Sequence, residues 1–303
     1  MAGSAPPKVP FEVHLVDGTY ELFRHHFGAP SHLDGDGMEV AAARGVLGTV
    51  LMMLEQGATH LGVATDHVIE SFRNDLYPGY KTSEGMPPEL LGQFTLLEDG
   101  LRALGVTVWP MVAQEADDGL AAAARIARDD DRVSRVFICT VDKDLGQCVE
   151  DPKVVQLDRR NGGHVIDEAG VRERFGVGPA SIPDYLALVG DSADGFPGLP
   201  GWGAKSTASV LARYEHLDAI PDNPRDWTVE VRGAAKLAAT LAAARDAAAL
   251  FLDLATLRVD AEVGTVDDWE WKGARPELVP LAARLGAENL VVRAERLAKQ
   301  RFG

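Results

Sequence analysis

Three shortages bound this chain before any motif is read. Cysteine is nearly absent: among 303 residues only Cys139, in "RVFICTVD", and Cys148, in "LGQCVE", carry a thiol. Neither has metal-ligand spacing, so a disulfide framework or a thiolate metal site is excluded, and two reduced cysteines in a cytoplasmic chain are expected. Long apolar runs are missing as well. No stretch approaches the roughly 20 residues that span a bilayer, so no membrane association is expected. The start, "MAGSAPPKVP", lacks a signal-peptide core, and residues 1–10 read as a flexible lead. Positive charge is the third shortage: 30 Lys and Arg stand against 46 Asp and Glu, a net charge of −16. At face value that excess argues against a nucleic-acid partner. The inference weakens if the acids are gathered in one place to hold cations.

What is present is an ordinary globular composition, 46% hydrophobic and 25% charged, long enough for one large domain or two modest ones. The first two thirds alternate strand-like runs with helical periodicity, which predicts an α/β fold with a parallel sheet. Strands are expected at "FEVHLVD" (11–17), "HLGVATD" (60–66), "VTVWP" (106–110), "RVFICTVD" (135–142) and "KVVQLDR" (153–159). Helices are expected at 39–56, 88–104, 115–130 and 167–176. Beyond Pro179 helices dominate, with an Ala-rich one at 233–250, so a boundary is placed near residue 178. The stretch 281–303 forms a small basic tail with five Lys and Arg against two acids.

The acids do gather. Three of the expected strands end in aspartate, at Asp17, Asp66 and Asp142, and ligands of open α/β sheets bind beyond the carboxyl ends of the strands. "EADD" sets Glu115, Asp117 and Asp118 in the first turn of a helix, where the dipole favours negative charge. "DKD" sets Asp142 and Asp144 on one face of an extended chain. Asp191 and Asp194, in "GDSADGFPGLPGWGAKS", stand three apart, on one face of a helix. Nine carboxylates at one edge cannot all stay ionised unaided. A like-charged pair about 4 Å apart costs roughly 4 kcal/mol at an effective dielectric of about 20. A lone strand-end Asp is usually a cap, and "EADD" alone is more often a helix cap than a ligand set. Four such features in order outweigh those readings. Oxygen donors without His or Cys suit Mg²⁺ or Mn²⁺, and two such ions roughly 3.5–4 Å apart are a known way to cut phosphodiesters.

These residues resemble a known family. "VDGTYELFR", "SFRNDLYPGYK", "EADD", "TVDKDLGQ" and "GDSADGFPGLPGWGAKS" are similar to the ordered motifs of the 5′-nuclease domain of bacterial DNA polymerase I and of the flap endonucleases. The resemblance runs from residue 13 to about 215, and the helical remainder fits the same domain's length. It implies a PIN-like α/β catalytic domain with a helical arch over residues 11–178. A helical DNA-binding region would follow over 179–303, with a helix-hairpin-helix at 190–214. With no polymerase module after residue 303, the chain looks like a stand-alone form. The implied activity is a structure-specific 5′-to-3′ exonuclease and flap endonuclease. It would act as a monomer on DNA with 5′ flaps, nicks or 5′ ends, RNA primer–DNA hybrids included, in replication and repair.

By the same resemblance all nine acids occupy metal positions, for two and as many as three ions. Asp17, Asp66 and Glu115 would lean toward one ion, and Asp142, Asp144, Asp191 and Asp194 toward the other. Asp117 would bridge them, and Asp118 would stand beside. Lys81 and Arg73 match the base of the arch, where a fixed cation stabilises charge on the phosphate; Asp117 and Asp142 complete the catalytic set. Arg24 matches a basic position beside the site, and Phe23 stands where relatives carry a tyrosine that stacks on a base. In the hairpin, Gly198, Gly201 and Gly203 would offer backbone N–H groups to a duplex phosphate, with Lys205 and Ser206 adding side-chain contacts and K⁺ held by carbonyls. Two departures stand out. Gly195 replaces the usual Asn, which would loosen its turn. Glu84 replaces an Arg in an arch region, 70–103, that holds three basic residues against six acids, so weaker DNA affinity is expected.

Rival readings explain less. "LVDGT" and "GDSAD" loosely mimic a haloacid-dehalogenase-type phosphohydrolase, but Thr19 stands where that family needs a second acid. A PIN-type ribonuclease is typically shorter and lacks the hairpin. A non-catalytic DNA-junction binder would not need the full acidic set. "GLPGWG" follows a helix, not a strand, which argues against a dinucleotide site.

Overall fold

The structure, a computed structural model, describes residues 10–303; of the lead expected at 1–10, all but Pro10 lies outside the described residues. A six-stranded sheet organises the first half. It is built from β1 (Phe11–Asp17), β2 (His60–Asp66), β3 (Thr107–Met111), β4 (Val133–Cys139), β5 (Val154–Asp158) and β6 (His164–Ile166), in the order β3-β2-β1-β4-β5-β6. The first five run parallel and β6 returns antiparallel to β5. The expected α/β parallel-sheet fold followed by helices is what forms. β6 is an addition: its "HVI" is too short and too exposed to show a strand pattern. The chain steps outward from β1 through β2 to β3, then crosses back to β4 on the other side of β1. The sheet therefore switches direction between β1 and β4, and the carboxyl ends of those two strands open a crevice there.

Side chains of β1 alternate between two cores. Val16 faces α1 (Gly18–Gly28), α2 (Ala41–Glu55) and the helices after β2, while Val13 and Leu15 face the opposite layer. The helix α2 earns its place through Val46, Leu47, Val50, Leu51 and Leu54, an apolar stripe at helical spacing that is fully buried. Each such side chain contributes about 1.5–3 kcal/mol of burial. After β2 come α3 (Phe72–Leu76), an irregular loop, α4 (Pro88–Leu91) and α5 (Gln93–Ala103). The single helix expected at 88–104 is thus broken at Gly92. The opposite layer is α6 (Ala116–Arg128), whose Ala-rich face lies flat on the sheet.

A second core follows α7 (Glu168–Phe175). It is made by α8 (Ile182–Val189), α9 (Ala204–Tyr214), α10 (Ala234–Ala243) and α11 (Arg245–Ala255). The Ala-rich helix expected at 233–250 is therefore two helices, divided at Ala244. The chain then returns to the sheet. Trp269 packs against Trp109, and Trp271 donates its backbone N–H to Thr59 and its indole N–H to Leu104. Gly105, at φ +80°, permits this docking, because a Cβ there would lie 2.0 Å from the Gly273 carbonyl oxygen. The last helices, α12 (Leu278–Arg284) and α13 (Asn289–Phe302), bury Leu278, Leu285, Leu290 and Leu297 in the core behind α2. Arg293 of the basic tail pairs with Glu55 of α2 at 2.7 Å, so part of that charge is spent within the fold. Among the described residues no helix is long and apolar enough to cross a membrane.

Candidate metal centre

At the crevice the acids converge, each delivered by a different device. Asp17 closes β1 and caps α1: its Oδ1 accepts the Tyr20 backbone N–H at 2.8 Å and its Oδ2 the Thr140 hydroxyl at 2.9 Å. Asp66 closes β2 and accepts the Ala116 N–H at 2.7 Å, which ties it to the start of α6. Asp117 lies in the first turn of α6. Strand β4 stops at Cys139, not at Asp142 as the sequence suggests. Asp142 instead sits in the turn beyond, where its Oδ1 accepts the Asp144 N–H at 3.0 Å. That turn replaces the extended "DKD" geometry, leaving Asp142 exposed and Asp144 buried. Asp191 and Asp194 are likewise on a tight turn rather than a helical face, closed by Gly195 N–H donating to the Asp191 carbonyl at 2.8 Å. The turn still brings one oxygen each of Asp144, Asp191 and Asp194 within 4.8 Å of one another.

The electrostatics agree with one continuous cluster. Burial, then the charges of Asp142 and Asp66, pushes Asp17 up to about 7. Asp117 and Asp144 are raised well above the usual carboxylate range, by burial first and by Asp142 next; Asp17 adds to the effect on Asp117, and Asp194 to that on Asp144. Asp66 is raised by burial too. Asp194 behaves oppositely: burial works against its charge, but Lys81 beside it brings it below the ordinary value. A carboxylate cluster held partly protonated by its own crowding is a cation site in waiting. The Asp144 Oδ1 sharpens the point, being buried with no hydrogen-bond partner. These residues fit divalent ions with oxygen-only coordination.

Two lysines stand among the acids. Lys81 reaches from the loop after α3 to within 3.0 Å of Glu115 and 2.9 Å of Asp194, and 29% of its side chain stays open. Despite burial, Asp194 and Glu115 hold its pKa well above the ordinary lysine value, so it remains an ammonium. Lys143, which sequence reasoning passed over, lies 2.5 Å from Asp191 and 3.8 Å from Asp144. Its only signal was its place inside "DKD".

Four expectations need correction. Arg73 is no phosphate contact. It is 1% exposed and gives two parallel hydrogen bonds of 2.8 Å to Asp118, with further bonds to the carbonyls of Leu254 and Thr256. Asp118 is correspondingly no metal ligand: besides Arg73, its oxygens accept the N–H groups of Glu115 and Arg258. The pair is a buried tie between α3, α6 and the end of α11. Gly198 does not offer itself to a duplex. It is buried, and a Cβ there would strike Gly190 and Leu188 backbone at 2.3 and 2.5 Å, so it closes the hairpin from inside. Gly195 does not loosen its turn. At φ +90° it lets the Gly79 carbonyl come to 2.2 Å from where a Cβ would be, and the Lys81 N–H donates to the Asp194 carbonyl at 2.9 Å alongside.

The remaining residues fall near the rim or on the hairpin. Glu115 is buried, with Oε1 accepting the Ser71 hydroxyl at 2.6 Å and Oε2 the Tyr80 hydroxyl at 3.2 Å. Ser71 and Tyr80 lie within "SFRNDLYPGYK", but nothing local gave either of them a role. Phe23 packs partly buried against the core behind α1, beside Phe27, whose ring is 69% exposed. Arg24 pairs with Glu21 at 2.5 Å on α1. Glu84 is exposed on the loop after α3. In the hairpin, Gly201, Gly203 and Lys205 are exposed, while the Ser206 hydroxyl donates to the Gly203 carbonyl at 2.9 Å and caps α9.

The family profile described as "5′-3′ exonuclease, N-terminal resolvase-like domain" matches residues 12–176, and "5′-3′ exonuclease, C-terminal SAM fold" matches 177–277. DNA polymerase I of Pseudomonas aeruginosa is 34% identical over 298 residues, covering 94% of this chain and 32% of that protein. DNA polymerase I of Bacillus caldotenax is 30% identical over 287 residues, covering 93% and 32%. The chain thus spans about a third of the length of these curated relatives. Among solved structures, a bacteriophage T5 flap endonuclease in a pseudo-enzyme–product complex with DNA and metal ions aligns with TM-score 0.62 at 19% identity, over 95% of this chain and 98% of its own. Flap endonuclease-1 from Methanococcus jannaschii aligns with TM-score 0.58 at 14% identity, over 97% and 94%. At such identities these structures speak for the fold.

Proposed function

Because the chain belongs to the 5′-3′ exonuclease family, we propose that it is a metal-dependent, structure-specific nuclease that hydrolyses DNA phosphodiesters at 5′ ends, nicks and 5′ flaps, RNA primers included, during replication and repair. The observation that carries this reading is the carboxylate crevice at the sheet's switch point, crowded enough to push Asp17 to about 7 and leaving Asp144 Oδ1 without a partner. Mg²⁺ or Mn²⁺ would be held by Asp17, Asp66 and Glu115 on one side and by Asp142, Asp144, Asp191 and Asp194 on the other. Asp117, facing both Asp17 and Asp142, would serve both sides. Bound there, a pair of divalent ions supplies Lewis-acid stabilisation of charge along an in-line phosphoryl displacement.

The chain's own residues do the rest. Glu115, fixed by Ser71 and Tyr80, holds the Lys81 ammonium over the crevice, where it binds a non-bridging phosphate oxygen and offsets the charge that grows on it. The Arg73–Asp118 tie keeps the "EADD" turn and the loop bearing Lys81 in one frame. The exposed turn at Gly201 and the Lys205 ammonium grip a duplex phosphate, with the Gly203 N–H held by the Ser206 hydroxyl at 3.2 Å beside them, and hairpin carbonyls hold K⁺. Because Asp191 and Asp194 open the same segment, the grip and the cut are separated by a fixed span. The enzyme works as a cytoplasmic monomer.

The test uses a 5′-labelled flap and a nicked duplex with Mg²⁺, Mn²⁺ or EDTA. Cleavage is expected with either ion, none in EDTA, and none with Asp142→Ala. Cleavage that survives EDTA, or that Asp142→Ala leaves unchanged, overturns the reading.

A further inference from the structure

One ammonium in the crevice has no part in the chemistry proposed so far. Lys143 lies against two of the acids that would hold a divalent ion, 2.5 Å from Asp191 Oδ2 and 3.8 Å from Asp144 Oδ1. Its backbone is fixed, with its carbonyl accepting the Gly146 N–H at 3.0 Å in the turn after β4. Its side chain is freer. Of that side chain 29% stays open to solvent, and among the described residues the ammonium meets no carboxylate outside the crevice. Lys81 differs, being held at 3.0 Å by Glu115 and at 2.9 Å by Asp194. Lys143 hangs on one short contact.

The two oxygens it faces are themselves unfinished. Asp191 Oδ1 accepts the Ala193 N–H at 2.9 Å, but Asp191 Oδ2 is buried without a hydrogen-bond partner, and so is Asp144 Oδ1. The Lys143–Asp191 contact is close enough for a bond and too poorly directed to make one. It therefore offsets charge without satisfying the lone pairs. Carboxylate lone pairs of this kind are what a hard divalent cation coordinates. A flexible side chain supplies positive charge where nothing else does, and its stem leaves it free to withdraw.

We propose that Lys143 is a tethered counter-ion: it holds Asp191 and Asp144 in the unloaded crevice, and the need to displace it sets the divalent-ion concentration at which that side of the site fills. The inference rests on the metal-dependent reading of the crevice and adds a residue that tunes it. Lys143 is not a catalytic residue in this account, because it acts through the two aspartates. Loading breaks the Lys143–Asp191 contact in wild type, whereas a variant without the ammonium has nothing to break. Removing the positive charge strengthens proton binding as well, but a dication feels that charge twice as strongly as a proton does. The net change is toward tighter metal binding. A role confined to shaping the turn gives the opposite sign, since a loosened turn would scatter Asp142, Asp144 and their partners.

The experiment titrates Mn²⁺ into DNA-free protein at pH 8 and reads free Mn²⁺ from its electron paramagnetic resonance signal. Wild type is compared with Lys143→Met, Lys143→Gln and Lys143→Arg, each checked for folding by circular dichroism. The Met and Gln variants are expected to bind Mn²⁺ about 10- to 100-fold more tightly at one site, the equivalent of one charged contact that no longer has to be broken. Either neutral variant suffices if the other does not fold. Lys143→Arg keeps the charge and should bind no more tightly than wild type. Neutral variants that bind as wild type does, or more weakly, overturn the proposal, and so does an Arg variant that matches their gain. Failure of the broader reading looks different. If wild type and every variant bind no Mn²⁺, the metal-dependent nuclease falls and this inference with it; Mn²⁺-dependent flap cleavage without any gain in affinity sinks this inference alone.

Discussion

Replacing Asp17 with Asn tests the crowding argument directly, because it removes a charge and keeps the shape. Asp17 has a folded pKa raised from 3.8 to about 7. A carboxyl with that sign contributes fully to stability below about pH 3.8 and loses the contribution as pH rises through 7. Over that interval the loss is about 4 kcal/mol, at ~1.36 kcal/mol for each pH unit. Burial of the side chain, 5% exposed, means that little of it is screened by solvent. In EDTA at pH 8, Asp17→Asn should therefore be more stable than wild type by as much as about 4 kcal/mol. The amide keeps both native bonds: its oxygen accepts from Tyr20 N–H, and its NH₂ donates to the Thr140 hydroxyl. At pH 4 the two proteins should be nearly equal. With Mg²⁺ at a hundredfold excess over Kd the gap should shrink to about 1–2 kcal/mol, since wild type gains ~2.7 kcal/mol at a site from which the variant has lost a ligand. Urea denaturation at pH 4, 6 and 8, with EDTA or Mg²⁺, reads all of these. The comparison is between proteins at one pH because His14, held at about 4 by burial, drives wild-type stability the other way with pH. Equal stability of wild type and variant at pH 8 in EDTA would refute the claim that the acids crowd one another.

Three further outcomes follow from single contacts. Lys81→Met should lower flap-cleavage kcat by ~10²–10³, the usual cost of removing one fixed donor from a transition-state charge. Its circular dichroism spectrum should be unchanged, and an unaltered kcat would remove Lys81 from the chemistry. Arg73→Met leaves Asp118 buried without its partner, so urea denaturation should show a loss of about 3–5 kcal/mol; a loss below ~1 kcal/mol would mean that the Arg73–Asp118 tie bears little weight. Gly195→Ala forces a Cβ to 2.2 Å from the Gly79 carbonyl at φ +90° and should cost about 1–3 kcal/mol in backbone strain. Its signature is faster proteolysis of the loop after α3, and wild-type cleavage rates by trypsin at Lys81 would count against it.

The sequence alone determined the strands that carry Asp17 and Asp66 and the helix that opens after Glu115, because these depend on local periodicity and on residue chemistry. The same locality explains the errors. Periodicity ran β4 on to Asp142, whereas the chain turns at Thr140 to bond Asp17 on the neighbouring strand. Spacing drew Asp191 and Asp194 onto a helix, whereas a tight turn brings them to Asp144. Motif position made Arg73 and Asp118 functional partners of DNA and metal. Only the packing of α3 against α6 and the end of α11 shows that they satisfy one another, a bond across 45 residues. Lys143, Tyr80 and Ser71 became visible for the same reason in reverse, since nothing local marks a residue whose role is to meet a distant carboxylate.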